Sequence, residues 1–184
     1  EHEAKRKQEF DTLQSQINPH FLYNTLDIIV WMIENENLTD AVRVVTALAR
    51  FFRISLSRGK SIITVRDELE HGRNYLMIQH MRYKNKFTYT VDAEDEVLDL
   101  ASLKLILQPL VENAIIHGIS PKGQGGRIHV RSWMEGRRIW ISVADTGRGM
   151  ARERLEEIRL ALARGEEKAT GVGVGNIYRR VHGM

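Results

Sequence analysis

Residues 110–118 read LVENAIIHG, and at helical spacing they set Asn113 and His117 one turn apart on a single face. An asparagine amide oxygen can ligate a magnesium ion, whose remaining ligands are usually substrate phosphates and water. Two glycine motifs follow in order. DTGRGM (145–150) comes directly after an alternating segment, and GVGVGN (171–176) directly before a helical one. Asp145, at a strand end, has the chemistry to accept a hydrogen bond from an exocyclic amine. Gly147 and Gly149 let the backbone approach a flat base. Gly171, Gly173 and Gly175 make a lid whose N–H groups face phosphates at a helix start. One glycine pattern alone is usually a surface turn, but three motifs in this order point to a nucleotide. The spacing excludes the G-x-x-x-x-G-K-[ST] loop, and GVGVGN does not follow a strand as a dinucleotide fingerprint requires.

Working outward, LASLKLILQPLVENAIIHG (100–118) reads as one helix stopped by Gly118, and FTYTV (87–91) as a strand. RIHVRSWM and RRIWISVAD alternate on either side of Glu135-Gly136, which predicts a hairpin. RERLEEIRLALARG is helical, EEKATGVGVG is a glycine-rich loop, and NIYRRVHGM opens a last helix. Upstream the texture is purely helical. A first helix is expected from about Ala4 to Ile33, a second through DAVRVVTALARFFRISL with Thr39 as its cap, and a third to Met81. Thr64 followed by Asp67 resembles a capping box for the third. The division is a helical hairpin, 1–60, and an α+β domain, 61–184, joined at the turn-rich SRGKSIIT.

QSQINPHFLYNTLDII (14–29) holds the second chemical feature. On a helical wheel Leu22, Leu26, Ile29 and Ile33 form a core stripe, and Gln16, His20, Asn24 and Asp27 fall opposite, flanked by Ile17, Phe21 and Ile28. The polar stripe is either a solvated face or the display of a nucleophilic histidine, an imidazole being largely neutral at pH 7. Pro19 would kink or loosen the helix beside it.

The bulk properties fit a soluble globular chain. It has 184 residues, 42% hydrophobic and 28% charged, with net charge +3 carried by interleaved signs. A nucleic-acid binder would cluster that charge on one face, so no nucleic-acid partner is expected. There are no cysteines, which suits a reducing compartment. No apolar run approaches the ~18 residues of a membrane span, and the charged start EHEAKRKQEF has no signal-peptide core.

INPHFLYNTL, LQPLVENAIIHG, DTGRGM and GVGVGN resemble, in order and distance, the H, N, G1 and G2 boxes of sensor histidine kinases. The spelling P-H-F-L-Y-N is similar to the LytS/YesM-type subfamily. The resemblance implies an α+β chain: a dimeric four-helix bundle built from helical hairpins, then an α/β sandwich ATP-binding domain of the gyrase–chaperone–kinase–mismatch-repair (GHKL, Bergerat) type. It implies ATP and Mg2+, with His20 as phosphoacceptor, Asn113 as magnesium ligand and Asp145 as adenine acceptor. His117, Gly147, Gly149, Gly171, Gly173, Gly175 and Asn176 would shape the pocket and lid. It also implies a homodimer, a response-regulator receiver domain as partner, and a cytoplasmic position. Membrane contact would come only through a sensor region outside this sequence, in a bacterial inner-membrane protein. Asn24, one turn beyond His20, is expected to aid regulator dephosphorylation.

Three departures stand out. Phe21 follows His20 where many histidine kinases have an acid. Ile116 replaces a lysine common in the family, for which His117 or Lys168 would substitute. Family members continue into further strands beyond the last helix, whereas this sequence stops at Met184. The rival readings are a GHKL ATPase, which needs a glutamate where Pro109 stands, and a nucleotide-binding scaffold that transfers nothing.

Overall fold

The computed structural model describes residues 18–57, 60–84, 86–123 and 125–165, together with Val174, Ile177, Tyr178, Arg180 and Val181. Helix α1 (Pro19–Glu34) is capped by Asn18, whose side chain accepts from the backbone N–H of His20 at 3.1 Å and of Phe21 at 3.3 Å. Pro19 is therefore the first helical residue, where a missing N–H removes no intrahelical bond. The expected kink inside a longer helix is replaced by a helix start, and residues 4–17 of that expected helix lie outside the described residues. Helix α2 (Leu38–Ser55) is capped by Asn37 rather than Thr39, with Asp40 N–H donating to the asparagine oxygen. Asparagine also bonds Asp40 through its amide nitrogen, which Thr39 could not do.

The inward stripe of α1 differs from the one expected. Phe21, Thr25, Ile29 and Met32 are buried, whereas Leu26 and Ile33 are exposed and Leu22 is half-buried. Phe21, one residue after His20, wins the core position because its ring fills a space between Phe51 and Tyr75, each 5.0 Å away. Rotating the stripe by that much turns Tyr23, Leu26, Val30 and Ile33 outward, and Leu38, Val42 and Val45 of α2 are exposed as well.

Strand β1 (Ile62–Thr64) leads into α3 (Val65–Arg82), where Thr64 accepts from Asp67 N–H at 3.1 Å as its spacing predicts. After β2 (Phe87–Ala93) comes β3 (Ala101–Leu103), antiparallel to β1. The single helix expected over 100–118 is thus three pieces: β3, then α4 (Leu107–Asn113), then a π-helical turn (Ala114–Ile119). Leu105 breaks the helix in the left-handed region at φ 59. Strands β4 (Gly126–Glu135) and β5 (Arg138–Asp145) form the expected hairpin, Gly136 supplying a positive φ of 60 at its turn. The order β2-β4-β5 places β2 parallel to β4. Helix α5 (Arg152–Arg164) ends on Gly165 at φ 69.

One hydrophobic core runs from Phe21 through Phe51, Tyr75 and Leu107 to Val130. Helix α3 lies at its centre, packing against α2 on one side and α4 on the other. It carries a fully buried histidine into that junction. His71 Nε2 lies 2.7 Å from Ser55 Oγ of α2, and the imidazole stacks on Phe51 at 4.2 Å. Burial, and then the ammonium of Lys104, lower its pKa to about 3. Below its ordinary value near 6.5 the unfolded chain therefore binds a proton that the folded chain refuses. Stability should fall as pH drops from 6.5 toward 3, by up to about 1.4 kcal/mol per pH unit from this group. Denaturant unfolding of the wild type and His71→Gln at a series of pH values checks this. The glutamine variant should show a flatter slope across that window; parallel slopes would show that His71 is not the group responsible.

Candidate functional site

The N-motif helix and the DTGRGM turn meet at two glycines. A Cβ on Gly147 would stand 2.2 Å from the carbonyl carbon of Gly118, and one on Gly118 only 2.5 Å from Asp145 Oδ1. Two backbone–backbone bonds and one to a side chain hold the turn here. Arg148 N–H donates to Gly118 O at 3.0 Å, Thr146 N–H to Arg127 O at 3.0 Å, and Arg127 N–H to Thr146 Oγ1 at 2.8 Å. Asp145 Oδ1 accepts from Gly147 N–H at 2.8 Å, which orients the carboxylate across its own turn. Asp145 is exposed, ready to meet a donor from outside. Gly149 takes φ 69. The switch from α to π geometry begins immediately after Asn113, which is half-buried, and leaves Ile116 and His117 exposed.

These features fit a purine nucleotide with its metal. The backbone is bare of side chains where a flat ring must approach, a carboxylate faces outward beside it, and an asparagine oxygen lies on the adjoining helix. Of the other residues assigned to this pocket, Gly171, Gly173, Gly175 and Asn176, with Lys168, lie outside the described residues. Glu112, the only acid near the position a GHKL hydrolase needs, is half-buried. Burial raises its pKa, the His117 charge lowers it, and Glu112 in turn acts on Tyr75 of α3.

His20 is exposed in the first turn of α1, over a cap that leaves its imidazole in solvent. Asn24 accompanies it as its spacing predicts. The amide nitrogen lies 3.0 Å from Nδ1 and 3.5 Å from Nε2, astride both ring nitrogens. Asp27 is exposed farther along, and Gln16 lies outside the described residues. The structure thus makes two groups: His20 with Asn24, and Gly118 with Asp145 and Gly147, the latter at the end of the helical segment that carries Asn113. The hairpin that holds the first meets the rest of the chain mainly through α3.

A third group had no sequence signal. Glu68 of α3, wholly buried, accepts from the backbone N–H of Leu105 at 2.9 Å and of Ile106 and Leu107 at 2.8 Å each. It caps α4 from another element, a job that cap-spotting along the chain assigns only to neighbours in sequence. Burial raises its pKa, against the pull of those three N–H groups and of Arg180. Lys104 is buried as well, and burial followed by the Arg180 charge lowers its pKa.

Most of the chain is similar to known proteins. Residues 8–87 match the family profile "Histidine kinase", and residues 98–182 that of "Histidine kinase-, DNA gyrase B-, and HSP90-like ATPase". The chain thus carries a histidine-kinase domain followed by a histidine kinase-, gyrase B- and HSP90-like ATPase domain. It is 34% identical over 176 residues to sensor histidine kinase YesM of Bacillus subtilis, covering 96% of this chain and 29% of that protein. Sensor histidine kinase YpdA of Escherichia coli is 33% identical over 180 residues, covering 97% and 31%. Sensor protein LytS of Bacillus cereus is 30% identical over 177 residues, covering 96% and 30%. The chain therefore spans under a third of these relatives' length. Its fold is the expected one, helices followed by an α/β domain of the GHKL-like ATPase family. Among the described residues no helix is long and apolar enough to cross a membrane.

The close contact of the two glycines has a direct test. In Gly147→Ala the new methyl meets backbone rather than a side chain that can swing away, so the DTGRGM turn must move off Gly118. A loss of about 1–3 kcal/mol in unfolding free energy is expected, with faster hydrogen exchange at Arg148 N–H. An unchanged exchange rate there would show that the contact is looser than the geometry requires.

Proposed function

We propose that this chain is the autophosphorylating core of a two-component sensor. It moves the γ-phosphoryl group of ATP to His20, and from there to an aspartate on a response-regulator receiver domain. The observation that carries this reading is the presence in one chain of an exposed, helix-displayed imidazole beside an amide, and of the Gly118–Asp145–Gly147 contact on the helical segment of Asn113.

Phosphoryl transfer needs positioning and charge neutralisation more than covalent help from the protein. A ring nitrogen of His20 directs its lone pair at the γ-phosphorus. The bond from that phosphorus to the β,γ-bridging oxygen breaks, and ADP leaves with the electron pair. The proton on the other ring nitrogen stays in place, so the acid missing at Phe21 is not required as a base. Asn24 holds the ring plane. Asp145 accepts from the adenine amine, and the bare backbone at Gly147 and Gly149 admits the ring. Asn113 would hold a magnesium ion, which would supply charge neutralisation at the phosphates. In the second step the regulator's carboxylate oxygen attacks phosphorus, the N–P bond breaks, and the imidazole recovers its lone pair.

The working units are a hairpin, 1–60, and an ATP-binding domain, 61–184, with α3 bridging them. The outward stripes Tyr23, Leu26, Val30, Ile33 and Leu38, Val42, Val45 repeat at three and four residues, as a bundle seam does. Tyr23 is 66% exposed and Val42 64%, so a second copy of the hairpin is the partner that covers them. The chain would then be the cytoplasmic part of a bacterial inner-membrane sensor. No nucleic acid enters this account.

The two halves of the mechanism separate by substitution. His20→Gln should abolish stable labelling from γ-labelled ATP while Mg-ATP affinity stays within about twofold. Asp145→Asn should weaken Mg-ATP binding about tenfold, the cost of a mispaired group, and blunt the preference for ATP over GTP. Label that survives His20→Gln on another histidine would overturn the assignment of the acceptor. Equal affinity of the wild type for ATP and GTP would remove the role given to Asp145.

Asn24 also stands where its amide can position water against the regulator's acyl phosphate. In Asn24→Ala, label should leave a purified regulator about tenfold more slowly, or about 1–2 kcal/mol. Labelling of His20 should change by only a few-fold. Equal slowing of both would mean that Asn24 serves the His20 site alone.

A further inference from the structure

The turn Lys104–Leu105, just before α4, is held from two sides by groups distant in sequence. Glu68 takes the N–H groups of Leu105, Ile106 and Leu107. Arg180, in the segment after GVGVGN, donates from its guanidinium to the carbonyl oxygens of Lys104 and Leu105, the latter at 3.1 Å. Leu105 sits between them at φ 59, a conformation that costs a non-glycine residue on the order of 1 kcal/mol and persists only where its surroundings impose it. We propose that Glu68 and Arg180 are the two jaws of a clamp on this turn, and that the clamp positions Asn113 and ties the nucleotide site to the phosphoacceptor hairpin. Both are positioning residues.

Three observations carry the clamp beyond local capping. First, α4 is a single short helix of 7 residues, with the clamp at its start and Asn113 at its end, so a tilt at one end moves the other. Second, α3 and α4 cannot slide freely. A Cβ on Gly72 would lie 2.4 Å from Leu107 Cδ2, and Leu107 is wholly buried. Third, the helix that supplies Glu68 also reaches the hairpin, through His71 one turn farther on. The Lys104 side chain is buried with no hydrogen-bond partner for Nζ among the described residues, and its charge acts on His71, whose Nδ1 is likewise unpartnered. His71 is bonded in turn to Ser55 at the end of α2. The path from the clamped turn to Ser55 therefore runs through Glu68 and His71, two wholly buried groups of one helix. α3 is its middle, and the same helix seats Phe21 beside His20 through Tyr75.

The inference rests on the nucleotide site proposed above, so its test includes a readout that needs no nucleotide. Arg180→Met keeps the length of the side chain and removes both bonds, on a residue that is only half-buried. In the free protein it should speed hydrogen exchange at the amides of Leu105, Ile106 and Leu107 by about tenfold, as expected for a lost charge-assisted pair. Mg-ADP affinity should fall several-fold, with thermal unfolding nearly unchanged. Mg-ADP should slow exchange at Ser55 and His71 in the wild type, and this effect should be lost in Arg180→Met at saturating nucleotide. Glu68→Gln keeps the oxygen that serves Ile106 and Leu107, so it should act in the same direction. Combined with Arg180→Met, it should cost less than the product of the two single effects. Unchanged exchange at 105–107 in Arg180→Met would overturn the clamp. So would a double variant whose effects simply multiply. A wild type that binds no Mg-ADP would overturn the proposed function and the clamp's link to it. The exchange at 105–107 would still decide whether Arg180 holds the turn.

Discussion

A carboxylate with no solvent contact survives in this fold because three consecutive backbone N–H groups are aimed at it. Those groups are the unsatisfied donors of α4, whose own cap residue, Ile106, offers no side-chain acceptor. Each needs the other. Without Glu68 the start of α4 would bury bare N–H groups, at a cost of about 1–3 kcal/mol each. Without α4 the carboxylate would be a buried charge with little to balance it. Because Glu68 belongs to α3, this mutual need fixes the N-motif helix to the one helix that also packs on the hairpin.

The same helix explains why the two chemical groups sit where they do. Toward the hairpin α3 offers Tyr75 to Phe21 and His71 to Ser55; toward the N-motif it offers Gly72 and Glu68 to α4. Phe21 is buried because it is the residue that meets α3, and burying it turns its neighbour His20 into solvent. An acid in place of Phe21 would not survive in that aromatic pocket without a partner. Anchoring the helix and displaying the imidazole are one packing decision, made by adjacent residues with opposite needs.

Much of this was legible in the chain. The hairpin around Gly136, the Thr64 cap and the pairing of His20 with Asn24 follow from local spacing, because each depends on residues within one turn. The meeting of DTGRGM with the N-motif was implied by motif order, and the glycines show its physical reason in backbone contact too close for any Cβ. Other features came only from tertiary packing. The stripe on α1 was assigned to Leu26 and Ile33 because a helical wheel cannot say which of two apolar faces meets its own chain. The break at Leu105 was hidden inside an apolar run that reads as helix, since both groups that impose it, Glu68 and Arg180, lie tens of residues away. Pro19 was read as an interruption, whereas the cap beside it, Asn18, makes it a beginning.

The central claim is that ATP's γ-phosphoryl group comes to rest on an imidazole nitrogen. The most direct measurement is the chemical stability of the linkage formed with γ-labelled ATP and Mg2+, followed by mapping of the labelled peptide. A phosphoramidate on His20 is predicted to be lost in acid and to survive base, in a peptide containing residues 18–24. Label that survives acid, or free phosphate released with no protein-bound label, would contradict the account.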